Sequence, residues 1–344
     1  MTWPIELAGI VFFAACAITF LLLHSFKTLL RRYALAKPNA RSSHRSPTPQ
    51  GGGIAVIVAI ITVVGAVWVL YPYVINEPTQ LAAIFTGVVA LAAVGIADDI
   101  RPIDALPRLV LQAVAVAIVL ASLPNDLRIF AVLPWWIERA LMFGAVLWFV
   151  NLVNFMDGID WMTVAEVVPV TGGLVLFGLS GALPAEATLV AAGLCGPMIG
   201  FAPLNRPVAR LFLGDVGSLP IGLLLGWLLL LLAGRNNFAA AALLPLYYLA
   251  DATVTLLMRL IDGKRLSQAH RDHFYQRALD GGFSVHQIVG RVLAVNLVLA
   301  GLAAVTIFYH SLTIQFTMMA AGFAVVALLL WTFNRVRHRR SPAL

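Results

Sequence analysis

Polar and apolar positions in this chain do not alternate. They separate into long apolar runs and short polar breaks. The runs lie near 4–26, 51–71, 80–97, 107–122, 138–156, 163–180, 186–202, 218–233, 238–260, 286–309 and 314–334. A helix crossing the hydrocarbon core takes roughly 20 apolar residues. The pattern therefore predicts an all-α polytopic membrane protein of about eleven transmembrane helices. The runs 107–122 and 218–233 are short for that purpose. No polar stretch is long enough for a soluble domain and no internal repeat is visible, so residues 1–344 read as a single transmembrane domain. The first run, Thr2–Phe26, is too long for a cleavable leader and lacks a basic start, so it reads as the first span.

Composition agrees with the pattern. The chain is 61% hydrophobic and 11% charged, where soluble domains carry roughly 25% charged residues. Cys16 and Cys195 lie inside apolar runs and read as small core residues, not as a disulfide or metal site. The net charge is +7, unevenly spread. With an odd number of spans the termini face opposite sides. An outside N-terminus puts 20 of the 23 basic residues on one face and leaves only Arg128, Arg139 and Arg235 on the other. Basic loops mark the cytoplasmic side, so the C-terminus is expected there. A positive cytoplasmic face suits anionic lipid headgroups. Nothing in it asks for nucleic acid.

The acidic residues then stand out. "LAAVGIADDI" ends an apolar run on two adjacent carboxylates, Asp98 and Asp99. Neighbouring carboxylates repel, and near hydrocarbon they also lose hydration. A cation or a ligand offsets that cost. "NLVNFMDGIDWM" repeats Asn151, Asn154, Asp157 and Asp160 at intervals of three. On a straight helix such residues drift apart, so they converge only where the helix ends, and Gly158 supplies the break. Their oxygens suit a hard divalent cation or sugar hydroxyls. "LFLGDVGSLPIG" sets Asp215 among glycines that admit a close ligand, or makes it a helix N-cap. "AHRDHFYQRALDGG" gathers His270, His273 and Arg277. With no third histidine or cysteine nearby, these suit a pyrophosphate better than zinc. The loop Lys37–Gly53, which holds His44, has linker composition but would also suit packing near a phosphate. All these segments fall on the cytoplasmic face.

Taken in order, "PNARSSHRSPTPQGGG", "ADDIRP", "NFMDGID", "FLGDVGS" and "HRDHFYQR" resemble the polyprenyl-phosphate N-acetylhexosamine-1-phosphate transferases, glycosyltransferase family 4 of bacterial envelope synthesis. The resemblance covers nearly the whole chain. It implies a multi-pass enzyme of the bacterial cytoplasmic (inner) membrane, with a periplasmic N-terminus and active-site loops on the cytoplasmic face. It also implies transfer of a sugar-1-phosphate from a UDP-sugar to undecaprenyl phosphate, with release of UMP and dependence on Mg²⁺ or Mn²⁺. Carried onto this chain, the catalytic set is Asp98, Asp99, Asp157 and Asp160. The metal set is Asp215 and Asp157. The substrate-binding set is Asn154, His270, His273, Arg277, Arg101 and His44. A homodimer stays open.

Two departures mark the chain. Arg101 stands where the family's first acidic motif often has Lys, and Arg does not carry protons. Trp161 and Met162 follow Asp160 where a glycine motif is usual, which places them beside the expected sugar donor. The loop "HRDHFYQR" is unlike the triple-histidine form of the phospho-N-acetylmuramoyl-pentapeptide transferases. It is closer to the branch that starts O-antigen and other surface polysaccharides. Peptidoglycan synthesis is the alternative. An ion-coupled transporter is the remote rival, resting on Asp251, an acid deeper in its span.

Overall fold

The computed structural model describes residues 3–33, 35–36, 48–264 and 270–338. Nearly all of them are helical. In chain order the helices are α1 (Trp3–Tyr33), α2 (Gly52–Leu70), α3 (Pro78–Ile100), α4 (Ala105–Ala121), α5 (Trp135–Met156), α6 (Met162–Leu179), α7 (Ala185–Phe201), α8 (Asp215–Gly234), α9 (Phe238–Leu243), α10 (Leu246–Ile261), α11 (Phe274–Asp280), α12 (Val285–Phe308) and α13 (Leu312–His338). Leu35–Ala36 and Thr48–Pro49 pair as a two-residue antiparallel ladder.

Each expected apolar run is helical, with one difference. The run 238–260 is divided into α9 and α10 around Pro245, which has no amide hydrogen to carry a helix through. Among the described residues eight helices are long and apolar enough to cross a membrane: α1, α2, α3, α5, α6, α8, α12 and α13. The helices α4 and α7 are shorter and apolar. The chain is a polytopic helical membrane protein.

The helix α8 is central. Its sequence, GLLLGWLLLLLAG, is apolar on every side, as in a helix surrounded by others. Of its apolar window 94% is buried, against 22% for α1. The helices α3 and α5 pack along it, while α7 gathers α1, α2 and α6. The helix α12 lies on α6, and α13 on α12.

What positions the site is the N-terminus of α8. A Cβ on Gly53 would fall 2.3 Å from the Gly217 Cα, and one on Gly95 would fall 2.4 Å from the Asp215 carbonyl. Small residues let helix backbones approach this closely in a membrane. The amides of Gly52 and Gly53 donate to the carbonyls of Phe212 and Leu213 (2.9 and 2.8 Å). The glycine run before the second span therefore packs against the backbone that leads into α8.

Candidate active site

The aspartate pair ends α3, and a helix turns by about 100° per residue. The two side chains therefore face different neighbours. Asp99 faces α8: Oδ1 accepts from the Asp215 amide (3.0 Å) and Oδ2 from the Val216 amide (3.2 Å). These are first-turn amides with no partner inside their own helix. Asp99 thus caps α8 from α3, with its negative charge at the positive end of that helix. Gln50 Nε2 donates to the Asp99 carbonyl (2.9 Å) and ties the glycine run to the same point.

Asp98 faces α4. Its Oδ1 accepts from the Ile103 amide (2.6 Å) and its Oδ2 from Arg108 Nη1 (2.8 Å). The same Arg108 nitrogen lies 3.7 Å from Asp215 Oδ2. Asp215 Oδ1 accepts from Asn154 Nδ2 (2.8 Å), which also reaches Ser218 Oγ (2.9 Å). The carboxylates of Asp98 and Asp215 thus flank one Arg108 nitrogen, at 2.8 and 3.7 Å. Two carboxylates so placed need a proton or a cation between them. Among the described residues no three His, Cys, Asp or Glu side chains converge to hold a metal ion. Two carboxylates do converge. Their hard oxygens fit Mg²⁺, which is ordinarily held by one or two carboxylates together with substrate phosphates and water.

The second acidic motif is spread along a tight turn. Asp157 caps the C-terminus of α5, and its Oδ1 accepts from Thr163 Oγ1. Burial pushes its carboxyl up to about 7, against the opposing Thr163 bond and with help from the charges of Asp99 and Asp160. Asp160 is buried and accepts from the Ala209 amide (2.9 Å). Trp161 takes the left-handed conformation (φ 63°). Its amide donates to Asn205 Oδ1 (2.8 Å) and its indole to the Ala202 carbonyl (2.7 Å). Asp160 and Trp161 therefore tie the turn to the α7–α8 connection, with the His286 ring 6.3 Å from the indole. Asn151 is directed elsewhere and donates to Gln112 on α4 (2.8 Å).

The histidine segment is hung from Asp251. This fully buried carboxylate accepts from the Phe274 and Tyr275 amides (3.0 and 3.2 Å) and from Tyr247 and Thr255. It also lies 3.3 Å from His273 Nδ1. It caps α11 from α10, as Asp99 caps α8 from α3. Tyr275 Oη donates to the Phe155 carbonyl (3.2 Å), and a Cβ on Gly158 would lie 2.0 Å from that hydroxyl. The segment is thereby docked on the Asn154–Gly158 turn. The rings of His270 and His273 are 5.0 Å apart, and His273 is 6.4 Å from Phe155. Arg277 points instead to α13, with Asn334 Oδ1 at 3.5 Å and the Phe274 ring at 5.2 Å. Burial works to raise the Asp272 carboxyl, but the Arg259 guanidinium beside it holds it below the usual carboxylate range.

The structure thus brings Asp98, Asp99, Asn154 and Asp215 together, with Asp157, Asp160, His270 and His273 along the adjoining turn. Arg101 lies exposed beyond α3. His44 falls outside the described residues. Sequence reasoning missed Arg108, which it counted only as cytoplasmic charge. Its signal is the ten-residue return to Asp98 across Pro102 and Pro107.

A polytopic helical protein with a pair of facing carboxylates at one end of its spans is the class so defined. Residues 81–233 match glycosyl transferase family 4. It is 26% identical to the probable undecaprenyl-phosphate N-acetylglucosaminyl 1-phosphate transferase of Bacillus subtilis, covering 73% of this chain and 71% of that one. It is 28% identical to the undecaprenyl-phosphate alpha-N-acetylglucosaminyl 1-phosphate transferase of Salmonella typhimurium (80% and 77%). It is 26% identical to the decaprenyl-phosphate N-acetylglucosaminephosphotransferase of Mycobacterium tuberculosis (89% and 84%).

Proposed function

We propose that the protein transfers an N-acetylhexosamine-1-phosphate from a UDP-sugar to undecaprenyl phosphate and releases UMP. The observation that carries this reading is the facing pair of Asp98 and Asp215 with Arg108 between them. Asp98 holds Arg108 by one nitrogen, which leaves its other N–H groups to position an anionic phosphate. Asp215 and Asp98 would hold Mg²⁺ or Mn²⁺. When bound, the ion would withdraw charge from the diphosphate as its anhydride bond breaks. Asp157, the other expected metal residue, lies on the adjoining turn with Oδ1 engaged by Thr163. The acceptor phosphate oxygen attacks the β-phosphorus of the donor. His270 and His273, presented beside Phe155, would contact the diphosphate or sugar.

The acceptor's lipid tail follows the apolar helix faces, so the site opens at the inner-leaflet interface. In this reading the chain crosses the cytoplasmic membrane eleven times, with α9 and α10 together making the ninth crossing, and starts outside. A reporter fused after Leu344 is expected on the cytoplasmic side, and an external signal would remove a crossing. The product would start a surface polysaccharide such as O-antigen. A phospho-N-acetylmuramoyl-pentapeptide-transferase of Synechococcus is 35% identical to the chain, but over only 44% of it. This keeps peptidoglycan synthesis as a second reading. The transporter rival rested on Asp251, and capping of α11 accounts for that residue.

The test is UMP release from UDP-N-acetylglucosamine and from UDP-muramoyl-pentapeptide by purified protein. Release that depends on both undecaprenyl phosphate and Mg²⁺ is expected with the first donor. Release independent of either would sink the reaction, and preference for the second donor would move the protein to the peptidoglycan branch.

A further inference from the structure

The end of the bundle away from the carboxylates carries an apolar loop between α4 and α5. From Arg128 to Glu138 the chain runs through IFAVLPWWI, which has no charged, hydroxyl or amide side chain. Phe130, Ala131, Val132, Pro134, Trp135 and Trp136 are all exposed. Val132 at the tip is 90% exposed and Trp136 68%. Water alone is a poor neighbour for so much apolar surface. The backbone of the same loop is bonded from within. Buried Glu138 accepts from the Ile129 and Phe130 amides (2.5 and 2.8 Å) and from Arg128 Nε. Arg128 Nη2 donates to the Leu133 carbonyl (2.5 Å), and the Leu133 amide to the Phe130 carbonyl (2.9 Å). Arg139 donates to the Pro124 carbonyl and lies over the Trp135 ring, 5.4 Å from its centre.

The length of α4 sets the depth of this loop. Its 17 residues reach about 26 Å, short of a hydrocarbon core of roughly 30 Å. Its first turn is tied through Arg108 to Asp98 at the end of α3. Its last turn therefore ends at or just inside the far boundary of the core, and the loop begins there. Irregular backbone approaches hydrocarbon only where its polar groups are paired, which Glu138, Arg128 and Arg139 achieve. Tryptophan favours that boundary, with an apolar ring and a wet N–H. The apolar surface also continues onto the spans. The Phe130 ring is 5.2 Å from that of Phe238, at the start of α9, and Leu141, about one turn along α5 from Ile137, is exposed. That continuity with the lipid-facing surface favours lipid over a water-soluble partner.

We propose that Phe130–Trp136 is a lipid-binding surface, seated in the headgroup region of the leaflet opposite the carboxylate site and held in shape by Glu138. The short helix α4 is then fixed at both ends, by Asp98 and Arg108 at one and by this loop at the other. The inference needs no transfer reaction, so it stands or falls apart from the proposed function.

The test places a nitroxide label on Val132→Cys in the full chain, with Cys16→Ala and Cys195→Ala, in vesicles of phosphatidylethanolamine and phosphatidylglycerol. Asn125→Cys, in the polar part of the same loop, serves as the water-facing reference and Leu141→Cys as the lipid-facing one. Oxygen concentrates in lipid and a nickel chelate stays in water, so the ratio of their collision rates with the label reads its surroundings. The ratio at 132 should lie well above that at 125 and approach that at 141. A ratio at 132 equal to that at 125 would put the loop in water and overturn the proposal. Protection from both reagents would mean that protein, such as a second copy of the chain, covers the surface, and would overturn it equally. Adding Glu138→Ala should shift the label at 132 toward the water value, because the freed amides then need water. An unchanged ratio would overturn the part given to Glu138. If Glu138→Ala does not fold, the label at 132 in the otherwise unaltered loop still decides the lipid contact.

Discussion

At two places a carboxylate on one helix caps the N-terminus of another. Asp99 of α3 does this for α8, and Asp251 of α10 does it for α11. The two junctions differ in tolerance. The first is clamped backbone to backbone, with Gly95 against the Asp215 carbonyl and Gly53 against Gly217, at spacings that leave no room for a methyl group. The second has no such clamp. Asp251 instead spreads one carboxylate over amides, hydroxyls and a histidine. A rigid junction suits a pair of carboxylates that must face each other across two helices. A hydrogen-bonded one would suit the donor contact proposed for the His270–His273 segment.

The largest effects are expected at the rigid junction. Asp215→Asn should keep the protein folded in membranes yet lower turnover at limiting Mg²⁺ by at least about 100-fold, the scale of losing a direct electrostatic contact at a reacting centre. Normal turnover would end its proposed role. Next comes Gly95→Ala, which touches no carboxylate. The new methyl group would force α3 away from α8, and loss of about tenfold to 100-fold in kcat is expected. If Gly95→Ala is as active as wild type, the clamp does not set the geometry, and the contrast between the junctions collapses.

Asp251→Asn probes the softer junction. One oxygen is kept, so the cost should be about 1–3 kcal/mol in stability. The change in kinetics should fall on KM for the nucleotide sugar more than on kcat, and an equal fall in kcat would show that this segment is as tightly coupled as α8. The smallest effect concerns pH. The Asp272 carboxyl is lowered by Arg259, so the pair's contribution is fully present above the unfolded value of about 3.9. It is lost as pH falls through the lower folded value. Hydrogen exchange of residues 270–273 should stay flat from neutral pH down to about 5 and rise only below about 4, beyond the ordinary pH dependence of exchange. Asp272→Asn should abolish that acid step.

How much of this was legible depended on distance along the chain. The apolar runs and the clustering of carboxylates at one end followed from local sequence, because span length and charge placement are local properties. The break of 238–260 was also local, at Pro245, but the apolar run around it concealed it. The different duties of Asp98 and Asp99 were not legible. They depend on α8, whose amides lie more than a hundred residues on. Arg108 was hidden by its ordinary role as a cytoplasmic charge. Trp161 looked like a donor contact, while the structure locks its indole and amide to the α7–α8 connection. Asp251 read as a stray deep acid because the amides it caps are more than twenty residues away, beyond a polar loop.

The Asp99–Asp215 contact joins positions 116 residues apart. A ribosome adds about 5–20 residues per second, so the aspartate pair waits roughly 6–23 s before its partner exists. Through that interval Asp99 has no amides to cap, while Asp98 has Ile103 and Arg108 close by in the chain. A nascent chain stopped before α8 carries Asp98 with Arg108 but neither Asp215 nor the amides that Asp99 caps. The carboxylate pair is assembled in one late event, when α8, the most buried of the candidate spans, packs against α3 and α5.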